Sequence, residues 1–223
     1  MQMPIPHTFN PGFFAAELVF TIIAVAFCFL IYFKTREIYA LTKHEGIKYF
    51  RGAFFFFGLS YVVRFLFGLV IFSMTAFDFI VPRETFGPLF ILLLGYFSTI
   101  GIVYLIFSSV WKKFKSKNLL IVAHGIAILL SIVSFIARSH LILLYFQSAL
   151  LILAVILSSI LHKLEKKISK IRVLYFFVSV LWLINLWVID RRRPFSFGME
   201  LFFQLVSLIV FIVIYLRISK WVK

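Results

Sequence analysis

The chain has 223 residues, 63% hydrophobic, 20% aromatic and only 14% charged, with a mean hydropathy of +1.09. A soluble domain is about 25% charged, so too few polar groups are present to cover a water-facing surface, and lipid is the expected solvent for most of the chain. A net charge of +15 would suggest nucleic acid on a soluble protein, yet the basic residues fall in short clusters between apolar runs, as membrane-protein loops do; no nucleic-acid partner is expected.

A helix needs about 20 mainly apolar residues to cross the hydrocarbon core. Seven stretches meet this, at approximately 12–34, 52–74, 87–110, 119–137, 140–161, 173–189 and 195–216. The predicted fold is therefore all-α: a polytopic membrane protein folded as a seven-transmembrane-helix bundle. Residues 1–223 form a single transmembrane domain, because no connecting segment is long enough to fold alone.

The opening "MQMPIPHTFNPGFF" carries no lysine or arginine and so lacks the basic region of a signal peptide. Asn10–Pro11 reads as a helix start, and the first span is expected to be retained. Glu17, Thr21, Ala24 and Cys28 share one face of it. Cys28 is the single cysteine, which excludes a disulfide framework and a cysteine metal site. In the following basic segment, His44 and Glu45 begin like a zinc-protease helix, but Lys48 stands where the second histidine belongs.

The second span places Ser60, Arg64 and Gly68 in line, and Pro88 sits at the entry of the third. His124, Ala127, Ser131, Ser134 and Arg138 align on the fourth, where His124 is expected to make an interhelical hydrogen bond. Arg138, Ser139 and His140 form a tight hairpin into the fifth. Ser179, Trp182 and Asn185 follow on the sixth, then "DRRRP" at 190–194, and Glu200, Gln204, Ser207 and Tyr215 on the seventh. Small and hydroxyl residues at such spacing let helix backbones approach and hydrogen-bond across.

Basic residues set the expected orientation. With the N-terminus outside, cytoplasmic segments would hold Lys34, Arg36, Lys43, Lys48 and Arg51, then Lys112, Lys113, Lys115 and Lys117, then Lys163, Lys166, Lys167, Lys170 and Arg172, and finally Arg217, Lys220 and Lys223. Outside would remain Arg83, Arg138, Arg191, Arg192 and Arg193. The N-terminus is therefore expected outside and the C-terminus in the cytoplasm, with the chain in the cell membrane.

An ionised side chain at mid-membrane costs about 2.5–3.5 kcal/mol on insertion scales, so Arg64 needs a partner. Glu17 and Glu200 each lie about five residues inside the outer boundary, and either could reach it. The expected ligand or ion site lies in the outer half of the bundle, formed by Arg64, Glu17, Glu200, Gln204 and Asn185 with Trp182 and Tyr61 as aromatic walls. A buried ion pair that only fixes helix register is the alternative. Arg191, Arg192 and Arg193 are candidates for holding an anion or lipid headgroups, because guanidinium forks match phosphate and carboxylate oxygens.

No clustered acid, base or metal set marks a catalytic centre, and no cofactor or metal is expected. A retinal Schiff base would need a lysine within the last helix, whereas Lys220 and Lys223 lie beyond it; no retinal is expected. The expected partners are the bilayer itself and, at the basic loops, anionic lipids or a cytoplasmic protein. These features point to a stand-alone sensory, receptor-like module. The alternatives are a small ion-coupled transporter or channel-like protein, and a lipid-modifying enzyme or assembly subunit.

Overall fold

The computed structural model describes residues 11–77, 83–111, 119–164, 170–189 and 197–220. Every element among them is a helix: α1 (Pro11–Thr42), α2 (Glu45–Ala76), α3 (Arg83–Val110), α4 (Leu119–Ile136), α5 (His140–Leu164), α6 (Lys170–Ile189) and α7 (Phe197–Ser219). Within α1, α2, α3, α5 and α7, the stretches Phe14–Thr42, Glu45–Met74, Phe86–Val110, His140–Ile160 and Gly198–Ser219 are long and apolar enough to cross a membrane. Leu120–Ile136 of α4 and Leu174–Leu186 of α6 are shorter apolar stretches. The chain is an apolar helical bundle of the integral-membrane kind.

The first two helices outrun their predicted spans. The basic segment 35–51, expected as a connection, is helical except for a turn at Lys43 and His44. Its inward residues Ile38 and Phe50 remain buried, so the apolar stripe continues past the expected span. Its charges are met locally: Lys34 pairs with Glu37 at 2.7 Å and Lys48 with Glu45 at 3.2 Å, each within one helical turn. Arg51 lies 4.9 Å over the Tyr32 ring and 5.7 Å over the Tyr39 ring, where the ring faces attract its charge.

The expected α4–α5 hairpin is present. Arg138 donates its N–H to the Phe135 carbonyl and Ser139 to that of Ser134, while Arg138 takes a φ of 48°. This is a Schellman stop, which satisfies the last carbonyls of α4 and reverses the chain.

Helix adjacency defines a ring: α1 packs on α2, α2 on α3, α3 on α5, α5 on α6, α6 on α7, and α7 back on α1. Consecutive helices of a hairpin chain run antiparallel, so α3 and α5 stand side by side and parallel. The strand of chain between them, α4, returns outside the ring, packed on α3 and α5. Much of its circumference is exposed and apolar, including Ile121, Leu129 and Ile136.

Aromatic and aliphatic side chains fill the ring together. In the run Phe54–Phe57 the first and last rings are buried, as a 3.6-residue period requires. Phe57 stacks on Trp182 of α6 with centroids 3.9 Å apart. Trp182 meets Tyr61 edge-on at 5.6 Å, and Tyr61 faces Phe211 of α7 at 6.2 Å. Ser108 donates to the Gly46 carbonyl at 2.7 Å and is hydrogen-bonded to Tyr175, tying α2, α3 and α6 near the opposite end.

Glycines let α2 and α3 close up. A Cβ on Gly52 would strike the Tyr104 ring, and one on Gly101 would lie 2.5 Å from the Phe57 ring and 3.4 Å from the Ala53 carbonyl. Phe57 has no retreat, because Trp182 is stacked behind it. Gly101→Val is therefore expected to destabilise the fold by about 1–3 kcal/mol, read as a lowered midpoint in detergent unfolding. Gly125→Ala on α4, where a Cβ meets nothing within 4 Å, is the control expected to match the parent.

Candidate functional site

Arg64 lies on α2 and Glu17 on α1, two antiparallel neighbours, and their side chains meet. Arg64 Nη2 lies 3.2 Å and Nε 3.3 Å from Glu17 Oε1. One carboxylate oxygen thus receives two N–H donors from the side of the guanidinium. The two side chains are only 8% and 12% exposed. At that burial, desolvation is offset only if the charges stay paired.

Helix geometry by itself works against this pairing. Cα–Cβ bonds tilt toward a helix N-terminus, which on α2 leads away from Glu17. The length of the arginine side chain overcomes this, since its flexible stem lets the head reach along the helix. Thr21, one turn further along α1, bonds back to the Glu17 carbonyl at 2.7 Å.

Beyond the guanidinium lies a largely enclosed cavity of about 10 Å³, counted as room for the centre of a water molecule. Ser60, Tyr61 and Arg64 of α2 line it, with Ser98 of α3, His140 and Gln147 of α5, and Trp182 and Asn185 of α6; Leu94, Leu143, Leu144 and Leu186 complete the wall. Tyr61 Oη, Arg64 Nη1, Gln147 Oε1 and Trp182 Nε1 are buried atoms of these residues with no hydrogen-bond partner among the described residues.

The remaining polar groups of the wall are held in place. Gln147 Nε2 donates to Ser98 Oγ at 2.6 Å and to Thr99 Oγ1 at 2.9 Å; Ser98 in turn donates to the Leu94 carbonyl. Asn185 Nδ2 donates to the Leu181 carbonyl at 2.7 Å and to Ser207 Oγ of α7 at 3.3 Å. Side-chain bonds between membrane helices contribute about 0.6 kcal/mol each on average, so their main effect here is to fix where each group stands.

Of the residues expected at this site, Tyr61, Arg64, Trp182 and Asn185 share the cavity, and Glu17 joins it through Arg64. Gln204 is buried on α7, and Glu200 is half-buried in the first turn of that helix; neither lines the cavity. Arg191, Arg192 and Arg193 lie outside the described residues. Ser98, His140 and Gln147 were not anticipated at the site. Gln147 had a readable signal, an amide inside the apolar run "LILLYFQSALLILAVIL". His124 makes the interhelical bond expected of it, with Nδ1 2.8 Å from Tyr96 Oη of α3.

No protein-family model matches the chain, and no solved structure matches it. Over 205 residues it is 30% identical to an uncharacterised protein of Archaeoglobus fulgidus, an alignment covering 90% of each. The chain belongs to the family of that protein. This kinship extends along nearly the whole bundle and carries no activity with it.

Neutralising one partner of the ion pair strands the other charge. Arg64→Gln and Glu17→Gln are each expected to destabilise the fold by about 3 kcal/mol. The double variant should lose less than the sum of the two. Unfolding midpoints of the four proteins in mixed micelles check this, and additive losses would show that the two side chains do not act as a pair.

Proposed function

We propose that all seven helices cross the bilayer, with the N-terminus outside and the C-terminus in the cytoplasm, and that the bundle is a sensory, receptor-like module. Its polar cavity, in the outer half under this orientation, would take a small polar molecule. The single observation that carries this reading is the cavity wall: Arg64 offers one paired and one unpartnered edge, beside unpartnered polar atoms of Tyr61, Gln147 and Trp182. Buried polar groups normally find partners, so a wall of this kind is suited to receiving one.

Orientation is supported by charge. Lys34, Arg36, Lys43, Lys48, Arg51, Arg217 and Lys220 gather at the end where α1 finishes and α2 begins, and positive charge favours the cytoplasmic side. That end could also hold anionic lipids or a partner protein that receives the signal. Sensing is favoured over transport because the cavity is small and largely enclosed. Transporters place helix interruptions at mid-depth, whereas Pro88 is in the second turn of α3. Ion-coupled transport remains the alternative, motivated by the intramembrane Arg64–Glu17 pair.

Two experiments test the reading. In a Cys28→Ser background, Lys43→Cys and Lys220→Cys are expected to react with an impermeant maleimide only from the cytoplasmic side, and Arg138→Cys only from outside; opposite labelling of Lys43→Cys and Lys220→Cys would overturn the topology. In proteoliposomes, a panel of small polar molecules is expected to include one that raises the unfolding temperature without crossing the membrane. Arg64→Lys, which keeps the charge but loses the fork, should weaken that stabilisation about tenfold in concentration, the loss of one charge-assisted bond. Flux of ions or solutes instead of stabilisation would favour the transporter.

A further inference from the structure

We propose that the cavity between α2, α3, α5 and α6 is a binding site for one neutral, water-sized molecule, and that a single water held by Arg64, Trp182, Gln147 and Tyr61 is its resident. The inference goes beyond the sensory reading and does not depend on it: a small polar ligand would enter only by displacing this water and spreading the helices around it.

Hydrogen-bond capacity decides the chemistry. Arg64 Nη1 and Trp182 Nε1 can only donate, and Gln147 Oε1 can only accept. Tyr61 Oη can do either. All four belong to side chains at least nine-tenths buried, all four residues line the cavity, and all four atoms lack a partner among the described residues. Their demand is two donors, one acceptor and one group of either kind. A water molecule supplies two lone pairs and two hydrogens. It would accept from Arg64 and Trp182 and donate to Gln147 and Tyr61, leaving none of the four atoms unmet.

Size and charge narrow the choice further. A cavity of about 10 Å³ is close to the smallest that holds a water on this measure, and a solute of several heavy atoms would not fit without spreading the helices. Glu17 already neutralises Arg64 at 3.2 Å. An added anion would leave an unbalanced negative charge in a low-dielectric interior, and an added cation would face a guanidinium; both are costly.

Orphan serines elsewhere, among them Ser134, Ser148, Ser179 and Ser219, differ in kind. A hydroxyl can rotate to share a carbonyl in its own helix turn, whereas the planar amide, indole and guanidinium groups cannot turn a single atom away. Once bound, the water would tie α2, α5 and α6 through one shared centre.

Radiolytic footprinting reads ordered water directly, because hydroxyl radicals formed from a buried water oxidise the side chains around it. Protein in lipid nanodiscs is equilibrated in oxygen-18 water, mixed into ordinary water, and irradiated before slow-exchanging water escapes. Expected is oxygen-18 incorporation at Trp182 and Tyr61 several-fold above that at Tyr175, which is also buried. Gln147→Leu removes an acceptor and should reduce the incorporation several-fold; if that variant does not fold, Trp182→Phe read at Tyr61 serves the same purpose. Incorporation at Trp182 and Tyr61 no greater than at Tyr175 in the parent would overturn the proposal. So would a rise in unfolding temperature when bromide or nitrate replaces gluconate that is lost in Arg64→Gln, since it would put an anion in the cavity.

Discussion

A guanidinium in hydrocarbon has no bulk water to screen its charge, so the rest of the bundle must be arranged around where Arg64 finds a carboxylate. That carboxylate is Glu17, one helix away in the same hairpin. The pair pins α1 against α2 at a single level. Other contacts follow in step along the two helices: Phe14 stacks on Phe72 at one end, a Cβ on Gly58 would come within 3.3 Å of the Cys28 Cβ, and Phe55 meets Tyr32 further on. A slip of one residue would swing Arg64 by about 100° and separate the charges.

Arg64 also belongs to the cavity wall, so the ion pair and the cavity are mechanically one object. Any displacement of α1 along α2 alters the edge that the guanidinium offers to Trp182, Gln147 and Tyr61. Under the proposed sensory reading, whatever occupies the cavity acts in turn on the level at which Glu17 sits. Under that reading this is the physical route from the cavity to the basic ends of α1 and α2, where Lys34 pairs with Glu37, Lys48 with Glu45, and Arg51 lies over the Tyr32 ring.

Much of this was legible before any coordinates. Composition named the solvent, the apolar runs named the helices, and an arginine amid "GLSYVVRFLFGLV" named the centre of the site. Tyr61, Trp182 and Asn185 could be placed beside it because they fall on the polar faces of their own helices. Depth alone could not choose between Glu17 and Glu200, since both sit near the same boundary; adjacency of α1 and α2 made the choice. Ser98, His140 and Gln147 stayed hidden for a related reason. Their presence requires α3 and α5 to be neighbours, which follows from α4 lying outside the ring, and nothing in the period of any single helix reveals that. The helical extensions of α1 and α2 were missed because charges one turn apart read as a loop, although Glu37 and Glu45 neutralise them within the helix.

The outer position of α4 has its own meaning. A closed circuit of six helices surrounds the buried core without it, and α4 carries the backbone back so that two parallel neighbours can be built from one continuous thread. Nature could thus lengthen, tilt or recolour that helix with fresh aliphatic side chains to suit a thicker or thinner lipid sheet, while the machinery within the circuit kept its dimensions.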